Sequence, residues 1–557
     1  MIKEDYGLKN LLELVKLERK EISDIYFYAI LSGLIQLSLP LGIQAILGFA
    51  LGATLATSVY VLMFIIIIGV FLLGYLQINQ MKIIEKIQQK IFVRHAFAFA
   101  ETIPNFDLKV VDKYYLPEKI NRFFETINIQ KGISKLLLDI PTAVIQIAFC
   151  LIVLSLYHPF FIIFTILLIL VIFLIFKLTS KKGLETSIAE SNYKYKVVAW
   201  LEEMGRVIKS LKYSQGTNIN LIKTDEIILK YISARTSHFQ VLLVQFKSLL
   251  FFKVSITSLM LVLGSYLLFN QKINIGQFVA AEIIIITIIN SLEKLILSLE
   301  NIYDVITGLY KLNAVLELDQ EKDGSIDFKA SQLNISLKEV DFSYNENQKV
   351  FENLSLTIPE NSITCISGEE NSGKSTLLKL ITSAYKYENG LISFNDIPLQ
   401  NYTLQSLRKQ TGVFLNEQDL FEGTLYDNIT LGRKDISMES IIALTKSLGF
   451  DDFISFFSLS FNSIIDPLGN SLPSSVTRKI LLLRTLIHNP ILLILEEPWI
   501  GLDEKAKKGL QAYIMNASKT KTIVVSTNDK EFSEICHQHI HLSNGKAILI
   551  KQKNGKI

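Results

Sequence analysis

The sequence predicts an α-helical membrane domain of six transmembrane helices fused to an α/β domain built around a phosphate loop. Three observations carry that fold class. Six apolar stretches crowd into the first 310 positions, and a soluble composition follows them. In "SITCISGEENSGKSTLLKLI", an apolar strand meets a Gly-rich loop that opens directly into a helix. A chain of 557 residues is too long for one core and predicts at least two domains. Its 56 basic and 53 acidic side chains nearly cancel, which speaks against a nucleic-acid binder. Cys150, Cys365 and Cys536 lie far apart and form neither a metal-ligand spacing nor a disulfide framework.

Residues 1–22 come first. "LKNLLELVKLERKEI" is amphipathic and basic, suited to lying on the inner membrane face against lipid headgroups. The membrane domain then runs over 23–312, with apolar stretches near 25–48, 57–79, 133–157, 159–177, 248–269 and 275–297. Each is close to the roughly 20 residues a helix needs to cross about 30 Å of hydrocarbon. "YVLMFIIIIGVFLLGYL" holds no charge, so a buried soluble helix is a poor rival for it. The first run is already long enough to span, so no cleavable signal sequence is expected.

The loops set the orientation. Segments 80–131 and 178–246 hold nine and ten Lys or Arg residues, whereas the opposite loops hold only Lys272. The positive-inside rule makes the long loops cytoplasmic, and an even number of spans places both termini there too. Both long loops are helical in pattern and are expected to carry the transmembrane helices onward into the cytosol; the plainer reading is a pair of solvated hairpins. Lys253 and Glu282 interrupt the last two spans. An acid facing lipid costs several kcal/mol, so Glu282 is expected to face a cavity or a partner. Lys253 is expected to snorkel to the inner interface.

After a polar linker at 313–332, residues 333–557 read as a soluble α/β domain. In the phosphate loop, Gly368, Glu369, Glu370, Asn371, Ser372 and Gly373 lead to Lys374, Ser375 and Thr376. Backbone N–H groups and the helix N-terminus of such a loop cradle phosphates. Lys374 is placed to reach the β- and γ-phosphates and Ser375 to hold Mg²⁺. Downstream, "ILLILEEP" is a strand ending in Glu496 and Glu497, placed for metal binding and for polarising the attacking water. "HQHIH" sets His537, His539 and His541 on one strand face, and a structural strand is favoured over a metal site.

With these residues in place, the chain resembles an ABC exporter half-transporter along nearly its whole length. The resemblance makes Tyr344 the residue that stacks on adenine, ATP and Mg²⁺ the cofactors, and Glu497, Asn416 and Asn528 the catalytic positions. "DLFEGTLYDNITLG" resembles the segment after the family's Q-loop, "GLD" at 501–503 its D-loop, and "IGQFVAAE" the start of its final span. "LPLGIQAIL" in the first span resembles the subgroup serving type I protein secretion, although about 20 residues ahead of it leave no room for a peptidase domain.

The departures matter as much. Asn416 stands at the Q-loop glutamine, Glu496 at the usual aspartate, Pro467 at an acid before the signature and Asn528 at the switch histidine. The signature Leu-Ser-Gly-Gly-Gln reads Leu472, Pro473, Ser474, Ser475, Val476. Pro473 removes an N–H donor, and the lost glycines forbid the closest backbone approach. Together the changes imply a degenerate ATP site with weak hydrolysis.

The implied function is a subunit that binds ATP and drives or gates export across the inner membrane, with protein or peptide cargo. Its ATPase domain faces the cytoplasm. The expected partners are a second ABC half-transporter, in a homodimer or heterodimer, and a membrane-anchored secretion adaptor, with no nucleic acid. Residues 103–112 and 210–218 are the expected contacts between membrane and ATPase domains. The rival reading is a regulatory or scaffold subunit that binds nucleotide with little hydrolysis.

Overall fold

The structure is a computed structural model that describes residues 4–51, 57–113, 115–157, 160–213, 217–345, 348–450, 453, 460–469 and 471–552. The chain divides into two compact units. Met1–Asn105 and Tyr114–Leu318 form the first, and Phe106–Lys113 and Asp319–Ile557 form the second.

The first unit is helical. Helix Glu4–Leu17 leads to Arg19–Gln36 and Ser38–Leu51. The first apolar stretch is therefore divided at Leu37, and Pro40 falls in the opening turn of the second piece, where its missing N–H has no intrahelical partner to lose. Thr57–Thr102, Glu125–Tyr157, Phe160–Arg206, Ile219–Phe269 and Ile275–Leu316 follow. Among the described residues five helical segments are long and apolar enough to cross a membrane. The remaining apolar stretch, 159–177, begins outside the described residues and runs into Phe160–Arg206. The last helix is started by a reciprocal cap. Asn274 Oδ1 accepts from the Gln277 N–H at 2.7 Å, and Gln277 Oε1 accepts from the Asn274 N–H at 2.9 Å.

Four of these helices share an apolar core that includes Leu154, Ile175, Phe252, Met260, Ile284 and Ile288. Lipid is as apolar as these side chains, so close packing and internal hydrogen bonds must hold the bundle together. Gly132 permits one close approach, because a Cβ there would sit 2.4 Å from Val305 Cγ2. Gln245 Nε2 donates to Thr179 Oγ1 at 2.8 Å and to the Tyr303 hydroxyl oxygen at 2.9 Å, tying three helices together. Lys253 does not simply snorkel: its ammonium pairs with Glu293 at 2.5 Å, one charge neutralising the other. Glu282 is half-buried.

A polar cavity of about 270 Å³ opens inside this unit, lined by Gln36, Gln77, Gln80, Asp139, Gln146 and Lys294 among others. A second, of about 500 Å³, shares Gln36, Gln146 and Lys294 and adds Asn290, Ser291 and Glu293. Side chains that are scattered along four apolar stretches thus converge on one polar region.

Among the described residues, the second unit holds three sheets. Strands β1 (Ile335–Ser343), β2 (Lys349–Ile358), β4 (Asn389–Phe394) and β5 (Ile397–Pro398) form an antiparallel sheet in the order β2-β1-β4-β5. The larger sheet contains β3 (Ile363–Gly368), β6 (Thr411–Phe414), β9 (Leu492–Glu496), β10 (Thr522–Ser526), β11 (Gln538–Ser543) and β12 (Lys546–Gln552) in the order β12-β11-β3-β10-β9-β6. A short pair, β7 (Gly423–Thr424) and β8 (Ile464–Ile465), completes the set. Strands β3, β9 and β10 are parallel and buried along their whole length, as their unbroken apolar runs require. In register, Ser526 of β10 lies beside Glu496 of β9 and Ile366 of β3. That alignment brings the loops leaving three strands to one crevice at their carboxyl ends, where open α/β sheets bind ligands.

Candidate functional site

The crevice begins with the phosphate loop. Gly373 caps helix Lys374–Ile381 at φ +96°, and a Cβ there would lie 2.8 Å from the Phe351 ring, so only glycine fits. Asn371 adopts φ +62°, a left-handed conformation that Asn tolerates better than most residues. The Lys374 ammonium folds back over the loop and donates to the carbonyls of Gly368 at 2.6 Å and Glu369 at 2.7 Å. Burial pushes its pKa below the ordinary lysine value, against the pull of Glu497, Glu370 and Glu496. Among the described residues the Ser372 hydroxyl is buried in the loop with no partner, a donor ready for a phosphate oxygen.

The acid strand meets this loop directly. The Ser375 hydroxyl donates to Glu496 Oε1, and the Asn416 backbone N–H donates to Glu496 Oε2 at 3.0 Å. A hydroxyl and a carboxylate brought together form a hard oxygen donor set that suits Mg²⁺. Glu497 follows at φ +41°, a conformation uncommon for a residue with a side chain, and its carboxylate accepts from the Thr527 hydroxyl at 2.9 Å. Asn528 Oδ1 accepts from the Gly368 N–H at 3.1 Å, closing the crevice from β10. Lys374, Ser375, Glu496, Glu497, Asn416 and Asn528 are thereby gathered into one network. Tyr344 stands beside Thr376, their hydroxyls 2.9 Å apart, and packs edge-on to Phe342 and Tyr385.

The altered signature opens helix Ser474–Leu486, with Pro473 at the cap position and no side-chain cap. Pro473 and Ser474 are exposed and Ser475 is half-buried, but Val476 is turned into the apolar core of its own domain. None of Leu472 to Val476 hydrogen-bonds to the phosphate loop among the described residues. The link comes from Arg478, which the motifs did not single out. Its Nη2 donates to Asn416 Oδ1 at 3.1 Å and to the Glu497 carbonyl at 2.9 Å. Nothing in the local sequence marks it, because the contact depends on where a helix lands beside β6 and β9. Thr527 was likewise missed, although it immediately precedes Asn528.

The three histidines take structural partners. His539 Nε2 and His541 Nδ1 lie 2.8 and 3.0 Å from Ser367 Oγ, and His537 Nδ1 accepts from the Ile363 N–H at 3.1 Å. Among the described residues no cluster of acids, His and Cys could hold a metal by itself.

The second unit is thus an α/β domain with a mostly parallel sheet, a phosphate loop after β3 and paired carboxylates after β9, in a chain whose first unit consists of long apolar helices. Residues 351–499 match the family model for ABC transporters. Over 96% of its length the chain superimposes with TM-score 0.85 on 95% of a solved bacterial Atm1-family ABC exporter with ATP bound, at 17% identity. The architecture is thus an ABC exporter fold. HlyB, the alpha-hemolysin translocation ATP-binding protein of Escherichia coli O6:H1, is 29% identical over 299 residues, covering 53% of this chain and 41% of its own. YknV of Bacillus subtilis strain 168, described as an uncharacterized ABC transporter ATP-binding protein, is 27% identical over 299 residues, 52% of this chain and 49% of its own. The chain spans about half the length of the curated relatives it matches.

Proposed function

We propose that this protein is an export subunit that works as half of an ABC dimer in the inner membrane, with its ATPase domain and both termini cytoplasmic. The observation that carries the reading is the meeting of Lys374, Ser375 and Glu496 at the carboxyl ends of β3 and β9. Residues 368–376 would cradle the phosphates of ATP, and Tyr344 would stack on its adenine. Ser375 and Glu496 would hold Mg²⁺, which supplies charge neutralisation between the phosphates. Glu497 would orient water, helped by Asn416 and Asn528. Leu472 to Val476 would face the partner's nucleotide in a homodimer or heterodimer.

Hydrolysis is expected to be weak. The exposed helix start at Pro473 lacks the glycine backbone that would approach a phosphate, and Asn528 cannot carry a charge. The cargo is read as protein or peptide. Relatives include a haemolysin translocation protein, and the cavity's carboxamides both donate and accept, as a polypeptide backbone requires. A membrane-anchored adaptor is the matching partner.

Nucleotide titration of the full chain tests the reading. Wild type should bind ATP, and Lys374→Ala should weaken binding by at least about tenfold, the loss of one charged contact. Equal, weak binding by both would make the phosphate loop a relic. Turnover measured alone and with a second ABC half separates the export reading from a scaffold that never drives transport.

A further inference from the structure

Two ionisable side chains in the apolar stretches of the first unit stand unpaired. Asp139 and Lys294 line the same polar cavity of about 270 Å³. Among the described residues, neither the carboxylate nor the ammonium makes a hydrogen bond or an ion pair. Their neighbours are satisfied. Lys253 and Glu293 neutralise each other at 2.5 Å, and Ser291 Oγ donates to Gln146 Oε1 at 2.8 Å. An unpaired charge at membrane depth is costly, and here one of each sign faces a single cavity without cancelling the other.

Depth orders the lining. Counted at 1.5 Å per residue from the cytoplasmic ends of their stretches, Asp139 and Lys294 lie about 9 and 5 Å deep. Gln36 and Gln146 lie about 17 and 20 Å deep on the same scale. On the proposed orientation, the charges stand at the cytoplasmic mouth and the carboxamides beyond them. The adjoining cavity of about 500 Å³ shares Gln36, Gln146 and Lys294. Spaces of this order suit a small ligand or a short stretch of chain.

We infer that Asp139 and Lys294 form a charge-reading site for a peptide segment bearing one basic and one acidic group, the basic group against Asp139 and the acidic group against Lys294. Such a segment partners both side chains at once, whereas a segment of one charge leaves the other unpaired. The deeper carboxamides then take its backbone, donating and accepting. A zwitterionic lipid headgroup offers the same two charges, but its acyl chains would meet those carboxamides, so the peptide is favoured. The inference rests on the proposed export of a peptide and narrows it to a charge pattern.

The test uses the full chain in phosphatidylglycerol nanodiscs, without nucleotide, and titration calorimetry. The probes are four end-blocked pentapeptides of one frame, carrying Lys and Asp, Lys and Asn, Gln and Asp, or Gln and Asn. Wild type should bind the Lys–Asp peptide at least about tenfold more tightly than the Gln–Asn peptide, the scale of a charged contact. Asp139→Asn should erase the preference for Lys over Gln and keep that for Asp over Asn; Lys294→Gln should do the converse. Asp139→Glu and Lys294→Arg should retain both preferences. Each variant decides for its own charge, so misfolding of one leaves the other to judge the site. Equal binding of the four peptides by wild type overturns the inference, as do preferences that Asp139→Asn and Lys294→Gln leave intact. Binding of glycerophosphoethanolamine that both variants abolish, with no discrimination among peptides, assigns the site to a lipid headgroup and overturns it too. Failure of the export reading is distinguishable. It would show as no ATP-dependent uptake of the Lys–Asp peptide into vesicles, while nucleotide-free binding persists.

Discussion

The hydroxyl of Tyr385 donates to the carboxylate of Asp112, a residue of the Phe106–Lys113 segment that packs as part of the second unit. Lys386 meets Asp107 at 2.8 Å, and Asp107 caps the turn Leu108–Val111 by accepting from the Lys109 N–H at 3.1 Å. Burial, and then Asp112, hold the Tyr385 phenol above its ordinary pKa, so it remains a donor throughout the physiological range. Tyr385→Phe should therefore loosen this segment without touching the nucleotide crevice. A lost hydrogen bond to a charged group is worth about 1.5–3 kcal/mol, so amide exchange within 106–113 should quicken by roughly 10- to 100-fold. ATP affinity should stay within about twofold. Unchanged exchange would show that the tyrosine bond does not hold the segment.

Restoring the signature should trade stability for rate. Pro473→Ser, Ser474→Gly, Ser475→Gly and Val476→Gln, together with Asn528→His, should raise ATP turnover. One preorganised donor in an oxyanion hole contributes about 10²- to 10³-fold, which sets the scale of the gain. Val476 is 7% exposed, so the glutamine must bury an amide or distort the helix start, at about 1–3 kcal/mol. A lower Tm with faster turnover is the expected pair. Fast wild-type turnover that these substitutions leave unchanged would end the degenerate-site reading.

Acid should weaken the sheet at β11. Burial holds His539 below the ordinary imidazole pKa, with His541 and Lys551 adding to the effect. A base with a lowered folded pKa contributes stability that is complete above its unfolded pKa, about 6.5, and disappears as pH falls through the folded value. His488, lowered by burial and by Arg433, adds in the same direction. The Tm should therefore fall between about pH 7 and pH 5, and His539→Gln should flatten that decline in part by removing one contributing titration. Parallel curves for wild type and variant would assign the acid sensitivity elsewhere.

Helix packing in the first unit offers a rescue experiment. A methyl group on Gly132 would strike Val305, so Gly132→Ala should lower the Tm of the purified protein, by about 1–3 kcal/mol in stability. Val305→Ala in the same molecule should recover most of that loss. Additive damage from the two changes would mean that the helices do not meet at this pair.

The elements that sequence reveals best here are those fixed by local chemistry. The charge-free run ahead of Gly74, the loop from Gly368 to Gly373 and the carboxylates at 496 and 497 each declare themselves within a few residues. Contacts set by register are another matter. That Ser526 lies beside Glu496 depends on parallel pairing between strands whose apolar runs would pair almost equally well in a neighbouring register. Arg478 reaching Asn416, and Lys253 reaching Glu293, depend on helix rotation and depth, which no single periodic pattern fixes. The break at Leu37 was hidden because apolar residues continue across it on both sides.

The junction of Gln245, Thr179 and Tyr303 limits how the first unit can move. A slide of one residue along a helix is about 1.5 Å, enough to break hydrogen bonds of 2.8 and 2.9 Å and strand polar atoms in an apolar interior. The helices bearing these three residues must therefore travel as one rod at that depth. Any rearrangement of the first unit has to pivot around this lock, and the freedom for it belongs to helices that the lock does not bind.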